Sequence, residues 1–289
     1  MTERKYIDWH SHTIYSDGAD DPATVVRNSK LLGIESLAIT DHDTMAGYRE
    51  ARAEAKRWRI DLVPGVEVTT THYHILGLGI DPDNDRFNDF LKKVRDLQEK
   101  VCQQRIELLQ KKGIPISLEK LKKNFPHSEQ RIGKYNLFMT TLLDKECADY
   151  LLSHGYEGTK KDFAALLGSK GLVGKVEKKY FVGSRETINE IHSAGGIAIV
   201  AHPFKQTKSP QELDSLVKKG IDGLEIQPNY AEKNILYQEY AKEKGLLMTY
   251  GSDYHGSSFT RPLLGRADKG FDNLLDVDEF FNSRRVVHV

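Results

Sequence analysis

Six histidines stand next to carboxylates at the edges of short apolar runs, where a cluster of metal ligands could assemble. His10 and His12 follow the run Tyr6-Ile7-Asp8-Trp9, and Asp41 and His42 follow Glu35–Thr40. Glu67 closes the run that starts at Asp61, His74 opens or lines Tyr73–Ile80, and His202 closes Ile197–Ala201. Asp253 and His255 come just after Leu246–Tyr250. Neutral imidazole and ionised carboxylate each offer a lone pair to a divalent cation, and such a set without thiolate suits manganese, iron or zinc. With eleven histidines in the chain, the two His-x-His pairs, His10/His12 and His72/His74, are weak evidence by themselves. Their position at run ends gives them weight. His127, His154, His192 and His288 lie in helical or terminal contexts and read as structural or solvent-facing. His72 stays open, because alternation puts it on the face of His74.

The elements that must position these residues follow a β-α-β-α-β rhythm. Strands are expected at 6–9, 35–40, 61–68 and 73–80, with helices over 23–32 and 45–57 between the first three. Such alternation argues for a parallel sheet or barrel, in which strand ends converge on one face. The rhythm stops after Pro82. A long charged helix over about 84–112 and the shorter pieces SLEKLKKNF and TKKDFAALLG fill the next hundred residues. Alternation resumes with helix 185–193, strand 197–201, helix 210–219, strand 224–227, helix 231–244 and strand 246–250. The expected organisation is therefore a barrel domain of residues 1–82 and 183–289, interrupted by a helical insertion at 83–182 that serves as a substrate lid.

Composition narrows the setting. Lys+Arg and Asp+Glu are both 42, so no net charge draws the chain to nucleic acid or membrane. The insertion nevertheless holds 20 basic and 14 acidic residues (+6), which leaves 22 and 28 (−6) for the barrel. Two distant cysteines, Cys102 and Cys147, exclude a disulfide scaffold and a thiolate zinc site. No apolar leader or membrane-length run is visible, so a cytoplasmic protein with no membrane association and no obligate protein partner is expected.

Six segments, in order, carry a resemblance. DWHSHTIYSDGADDP (8–22), TDHD (40–43), PGVEV (64–68), HILGLGID (74–81), AHP (201–203) and GSDYH (251–255) resemble the motifs of the PHP (polymerase and histidinol phosphatase) superfamily. The insertion is similar to that of its stand-alone phosphoesterases acting on nucleotides and short RNA 5′ ends. The resemblance implies a distorted (β/α)7 TIM-like barrel holding two to three divalent ions. Carried over, His10, His12, Glu67 and Asp253 would hold the first ion; Glu67, His74 and His202 the second; Asp17, His42 and His255 the third. Asp17 enters only this way, since Asp17-Gly18 otherwise reads as a turn. Asp41 and Asp43 would orient imidazoles, with an N-cap role for Asp43 as the alternative.

The implied reaction is phosphomonoester hydrolysis by a hydroxide held on the metals, with Glu67, Asp253 and His202 around it. Phosphorylated small molecules, nucleotides or short oligonucleotides would be the substrates. The family branch carries a Gly-Arg-Pro-His-like segment in the insertion, where this chain reads Gly133-Lys134-Tyr135-Asn136. Lys134 keeps the charge without the guanidinium fork, and Asn136 cannot ionise. Lys134 and Lys179 are the expected substrate contacts, with solvated surface lysines as the plain alternative. Competing readings are a small-molecule phosphatase such as one for histidinol phosphate, an amidohydrolase, and a non-catalytic PHP module. Amidohydrolase chemistry is disfavoured because no carbamylated-lysine position stands out.

Overall fold

A computed structural model of the 289-residue chain describes residues 6–127, 129–168, 171, 180–227 and 231–256. The chain forms two compact units, one of Met1–Lys92 with Val182–Val289 and one of Lys93–Phe181.

In the first unit, β1 (Ile7–Asp8), β2 (Ser36–Ile39) and β3 (Asp61–Thr69) pair in parallel through the crossover helices α1 (Pro22–Leu31) and α2 (Ala46–Trp58). Asp21 caps α1 by accepting from the Thr24 amide at 2.8 Å, and Pro22 supplies the preset φ of its first residue. The buried stripe Gly47, Tyr48, Ala51 and Ala55 gives α2 its inner face, and Arg59 ends it in the left-handed region.

β4 (His74–Leu78) departs from the parallel expectation. It runs antiparallel to β3, with Thr69 opposite His74, and antiparallel to the strand that follows it in the sheet, β5 (Ile197–Val200). Only four residues, 70–73, join β3 to β4, and a parallel crossover needs a dozen or more. The link can only turn a hairpin. β5, β6 (Gly223–Ile226) and β7 (Leu247–Tyr250) return to parallel pairing, giving the order β1-β2-β3-β4-β5-β6-β7. The Trp9 amide donates to the Tyr250 carbonyl at 2.9 Å and the His12 amide to the Tyr254 carbonyl at 2.8 Å, bringing the first and last strands together. The result is a nearly closed TIM-like barrel of seven strands.

Both faces of the strands are buried, as a barrel with outer helices demands. On β2, Ala38 turns inward with Trp9, Val63, Leu76, Ile199 and Tyr250, while Leu37 and Ile39 pack outward on Val25, Val26 and Ala51. Trp9 satisfies its indole N–H by donating to Ser36 Oγ at 2.8 Å. The expected helix over 210–219 is instead a tight 3-10 turn, Pro210–Leu213, followed by a single α-turn at Asp214–Val217.

Among its described residues the second unit is built of helices and carries no strand. Its helices are α3 (Asp85–Gln110), which begins in the first unit, then α4 (Leu118–Asn124), α5 (Lys134–Leu143), α6 (Lys145–Ser153) and α7 (Lys160–Leu167). Cys102 and Ile106 of α3 pack with Leu121, Leu137, Cys147 and Leu151 in its own core. Burial pushes the Cys102 thiol up to about 11 and the Cys147 thiol up to about 12, so both behave as apolar filling. The helix α8 (Ser184–Ser193) leads back into β5, and α9 (Pro203–Gln206), α10 (Asp214–Val217) and α11 (Ala231–Lys244) complete the barrel unit.

Leu76 sits inside the barrel at 1 % exposure, directly between β3, which bears Glu67, and β5, which His202 follows. Truncation to alanine is expected to lower the unfolding free energy by about 2–5 kcal/mol, a cavity cost. Urea denaturation of Leu76→Ala beside the parent protein measures it, and a shift below about 1 kcal/mol contradicts the packing described.

Candidate metal centre

Glu67 lies near the end of β3 and is fully buried. Its amide donates to the Thr40 carbonyl at 3.1 Å, and its carbonyl accepts from the Asp43 amide at 2.9 Å, which draws the loop bearing His42 alongside. One carboxylate then faces five imidazoles. Glu67 Oε2 lies 3.3 Å from His10 Nε2, 3.2 Å from His12 Nε2 and 3.2 Å from His42 Nδ1. Glu67 Oε1 lies 3.0 Å from His74 Nδ1 and 3.0 Å from His202 Nε2. The hairpin explains His74: because β4 runs backwards, its first residue lies at the barrel end where the parallel strands finish.

Asp253 and Asp17 extend the cluster. Asp253 Oδ1 is 3.5 Å from His10 Nε2, 3.4 Å from His12 Nε2 and 3.5 Å from His255 Nδ1. Asp17 Oδ1 is 3.4 Å from His255 Nε2 and 3.7 Å from His12 Nδ1. All nine residues expected as ligands therefore meet in one place. The groups of three whose donor atoms lie within 4.8 Å of one another overlap, with His12 in three of them, so neighbouring groups share residues.

The donor set fits divalent ions on two counts. Glu67 Oε2 and Asp17 Oδ1 are buried without a hydrogen bond. A carboxylate oxygen in that position calls for a cation. In addition, His10 Nε2 and His12 Nε2 point at each other across 3.0 Å, an arrangement suited to lone pairs converging on a shared centre.

Charge in the cluster is strongly perturbed. Burial works against the Glu67 carboxylate, and the facing His42, His10 and His74 outweigh it, holding its pKa well below the usual range. Asp253 and Asp17 are lowered in the same way, burial being overcome chiefly by His255. For His12, burial disfavours the imidazolium, but Asp253, Glu67 and Asp17 raise its pKa to about 9.

Several supporting residues escaped the sequence reading. Glu225, on β6, accepts from His10 Nδ1 at 2.6 Å and from the His202 amide at 2.6 Å. It lies inside the run, one residue before the end of β6, so the signal of a carboxylate near a strand end was present. Lys205 donates to Asp253 Oδ2 at 2.7 Å, and Gln206 Oε1 accepts from the His74 amide at 2.7 Å. Asp41 differs from the expected imidazole partner: it accepts from the Thr13 amide and hydroxyl at 2.7 and 2.6 Å and from Ser16 Oγ at 2.7 Å. It thus braces the turn that carries His12 and Asp17. Burial raises the Asp41 carboxyl above its usual range in spite of these donors. Asp43 does not cap α2, whose N-cap is Met45; its Oδ1 accepts from the Thr69 amide at 2.7 Å.

Asp43, His202 and Asp253 hold φ of 56°, 28° and 57°, three of the five positive-φ residues other than glycine among the described residues. Strained backbone of this kind gathers at functional sites.

Of the expected substrate contacts, Lys134 opens α5 and is partly buried; Lys179 lies outside the described residues. Burial, with Arg105 and Arg131 nearby, lowers the Lys134 pKa. Asn136 has a structural role, accepting from the Gly133 amide at 2.8 Å to close the start of α5. His154 stacks on Tyr150 and His192 pairs with Asp222 at 2.7 Å, both outside the cluster, and His288 lies outside the described residues. Among the described residues no helix is long and apolar enough to cross a membrane.

This barrel and its centre define a class. The chain belongs to the PHP domain family, whose profile matches residues 8–277. It is 31% identical over 263 residues to a 5'-3' exoribonuclease of Haemophilus influenzae, covering 87% of this chain and 90% of the relative. It is 26% identical over 262 residues to a 3',5'-nucleoside bisphosphate phosphatase of Chromobacterium violaceum, covering 86% and 87%. A solved structure of a candidate metal-dependent phosphoesterase from Bifidobacterium adolescentis superposes with a TM-score of 0.71 at 27% identity, covering 96% and 94%. The chain is a hydrolase of the metal-dependent phosphoesterase class.

The pKa shifts make a test on metal-stripped protein. A raised folded-state pKa favours folding fully below the unfolded value of 6.5, and for His12 that contribution is lost as pH climbs through about 9. The lowered carboxyls act oppositely, stabilising above their ordinary values of 3.8 and 4.5 and losing that effect on acidification. The urea midpoint of chelator-treated protein is therefore expected to fall between pH 6.5 and 9.5. A midpoint that rises over that interval counts against the imidazole–carboxylate cluster.

Proposed function

We propose that this chain hydrolyses phosphate esters of nucleotide-like substrates, nucleoside bisphosphates or the ends of short oligonucleotides. The centre would hold two to three divalent ions, manganese, iron or zinc. The observation that carries this reading is Glu67, a buried carboxylate with imidazoles at both oxygens, the arrangement of a bridging ligand. His10, His12 and Asp253 would complete one position, His74 and His202 a second, and Asp17, His42 and His255 a third. Nine donors exceed what one tetrahedral or octahedral ion accepts. Bound ions would lower the proton affinity of a water and offset the charge of the phosphate. The protein's part is to aim the imidazoles, to hold Asp253 through Lys205, and to keep Glu67 ionised in a dry setting.

The substrate class draws support from the names of the exoribonuclease and the bisphosphate phosphatase. Charge adds to it. Within the helical unit, burial and Arg131 lower the pKa of Arg105 to about 10, and Arg105 and Arg131 act together on Lys134. An anion is the counter-charge such a group calls for. A polyanionic substrate supplies more of it than histidinol phosphate, which carries its own amine.

Metal content and kinetics test the proposal. Elemental analysis of protein purified without chelators is expected to give at least two divalent ions per chain. Glu67→Gln should lower that content and reduce kcat by at least about 100-fold. Lys134→Ala should leave the metals in place and weaken transition-state binding by about 1–3 kcal/mol. For an oligonucleotide, KM should rise with salt over the range where the Debye length falls through about 10 Å. Preference for histidinol phosphate at low and high salt alike would mark the chain as a small-molecule phosphatase instead.

A further inference from the structure

Glu225 is the third residue of β6, at 1 % exposure, and its two oxygens are engaged by two different proposed ligands. Oε1 lies 2.6 Å from His10 Nδ1, and Oε2 accepts the His202 amide at 2.6 Å. Gln227 Nε2 adds a longer contact to Oε2 at 3.3 Å. The carboxylate is held tightly, since a Cβ on Gly251 would come within 2.3 Å of both Oε1 and His10 Cβ. We propose that Glu225 is a positioning residue for the metal centre, a clamp that fixes the ring of His10 and the backbone of His202 together. This rests on the reading of the cluster as a metal centre but not on any choice of substrate.

The chemistry follows from hydrogen-bond valence. A carboxylate accepts and does not donate, so a neutral His10 ring, the form that binds a cation, must carry its proton on Nδ1 and present the Nε2 lone pair. That nitrogen is the one facing Glu67 Oε2, Asp253 Oδ1 and His12 Nε2. An anionic acceptor on Nδ1 also makes Nε2 a stronger donor to a cation. On the other side, His202 sits at φ 28° and ψ 58°, a backbone that few residues other than glycine adopt. The bond from its amide to Oε2 helps to hold that conformation, and with it Nε2 at 3.0 Å from Glu67 Oε1. One side chain thereby sets the aim of two neighbouring proposed ligands, one at each oxygen of Glu67.

The two contacts explain why glutamine cannot substitute. Both partners are donors, and a carboxamide has one accepting oxygen; its NH2 must then face either His10 Nδ1–H or the His202 N–H. Glu225→Gln is therefore expected to remain folded when metal-free, by circular dichroism, but to bind manganese about 10–100-fold more weakly in equilibrium dialysis. Excess manganese should restore much of its kcat/KM, which a generally damaged barrel would not show. Glu225→Asp, whose oxygens are withdrawn by one methylene, should share the weakened binding. A parent protein that binds no metal removes the centre itself, whereas a parent that binds metal and a variant that binds it equally well overturn the clamp alone. Should both variants misfold, the parent protein still decides the matter. Nitrogen-15 histidine spectra of the zinc-loaded chain are expected to show the His10 proton on Nδ1, and a proton on Nε2 refutes the proposal.

Discussion

A carboxylate sealed from water must find positive charge or lose its own, and the whole barrel end is arranged around that requirement at Glu67. Imidazoles reach it from the segments after β1, β2 and β5 and from the start of β4. Each of these can share a proton with the carboxylate or give its lone pair to a cation, and the same geometry serves both states. That dual fitness explains why a cluster so rich in ionisable groups is tolerated inside a protein. It also ties metal binding to proton release, since a ligand nitrogen must shed its proton first.

Supporting residues act on the proposed ligands in different ways. Glu225 reaches a ring nitrogen and a main-chain amide. The Asp253 carbonyl accepts from His255 Nδ1 at 2.8 Å, turning Nε2 of that ring toward Asp17. Asp41 works at one remove by tying Thr13 and Ser16, and a methyl on Gly47 would come within 2.0 Å of Asp41 Oδ2. Glycine at 47 thus leaves room on α2 for a carboxylate that braces the first ligand loop. Precision at the centre comes from these contacts as much as from the donors themselves.

The helical unit poses a different electrostatic problem. Arg105 is buried to 6 % exposure, and its Nε has no hydrogen-bond partner. Lys134 stands at the first residue of α5, with no acidic residue in that helical turn. Cations at a helix N-terminus oppose its dipole, so this arrangement is paid for elsewhere in the unit, by a core of Ile106, Leu121, Leu137 and Leu151.

Much of the site was legible in the sequence because a barrel converts position along the chain into position in space. A histidine or aspartate that closes an apolar run must appear at the mouth, and His10, His12, His42, Glu67, His202, Asp253 and His255 could be picked out on that ground alone. Asp17 could not, since an Asp-Gly turn looks the same wherever it falls; it entered through the family resemblance, and the fold of the 13–18 turn sets it against His12 and His255. The direction of β4 was also hidden from periodicity, which reads alternation but not sense, although the four-residue link already ruled out a crossover. Glu225 was overlooked for another reason: a carboxylate that touches ligands is told from one that is a ligand only by its neighbours. The sequence by itself determined which chemistry was available and at which strand ends; tertiary structure decided which donors share a centre and which hold the others in aim, because those roles depend on distances between segments far apart in the chain.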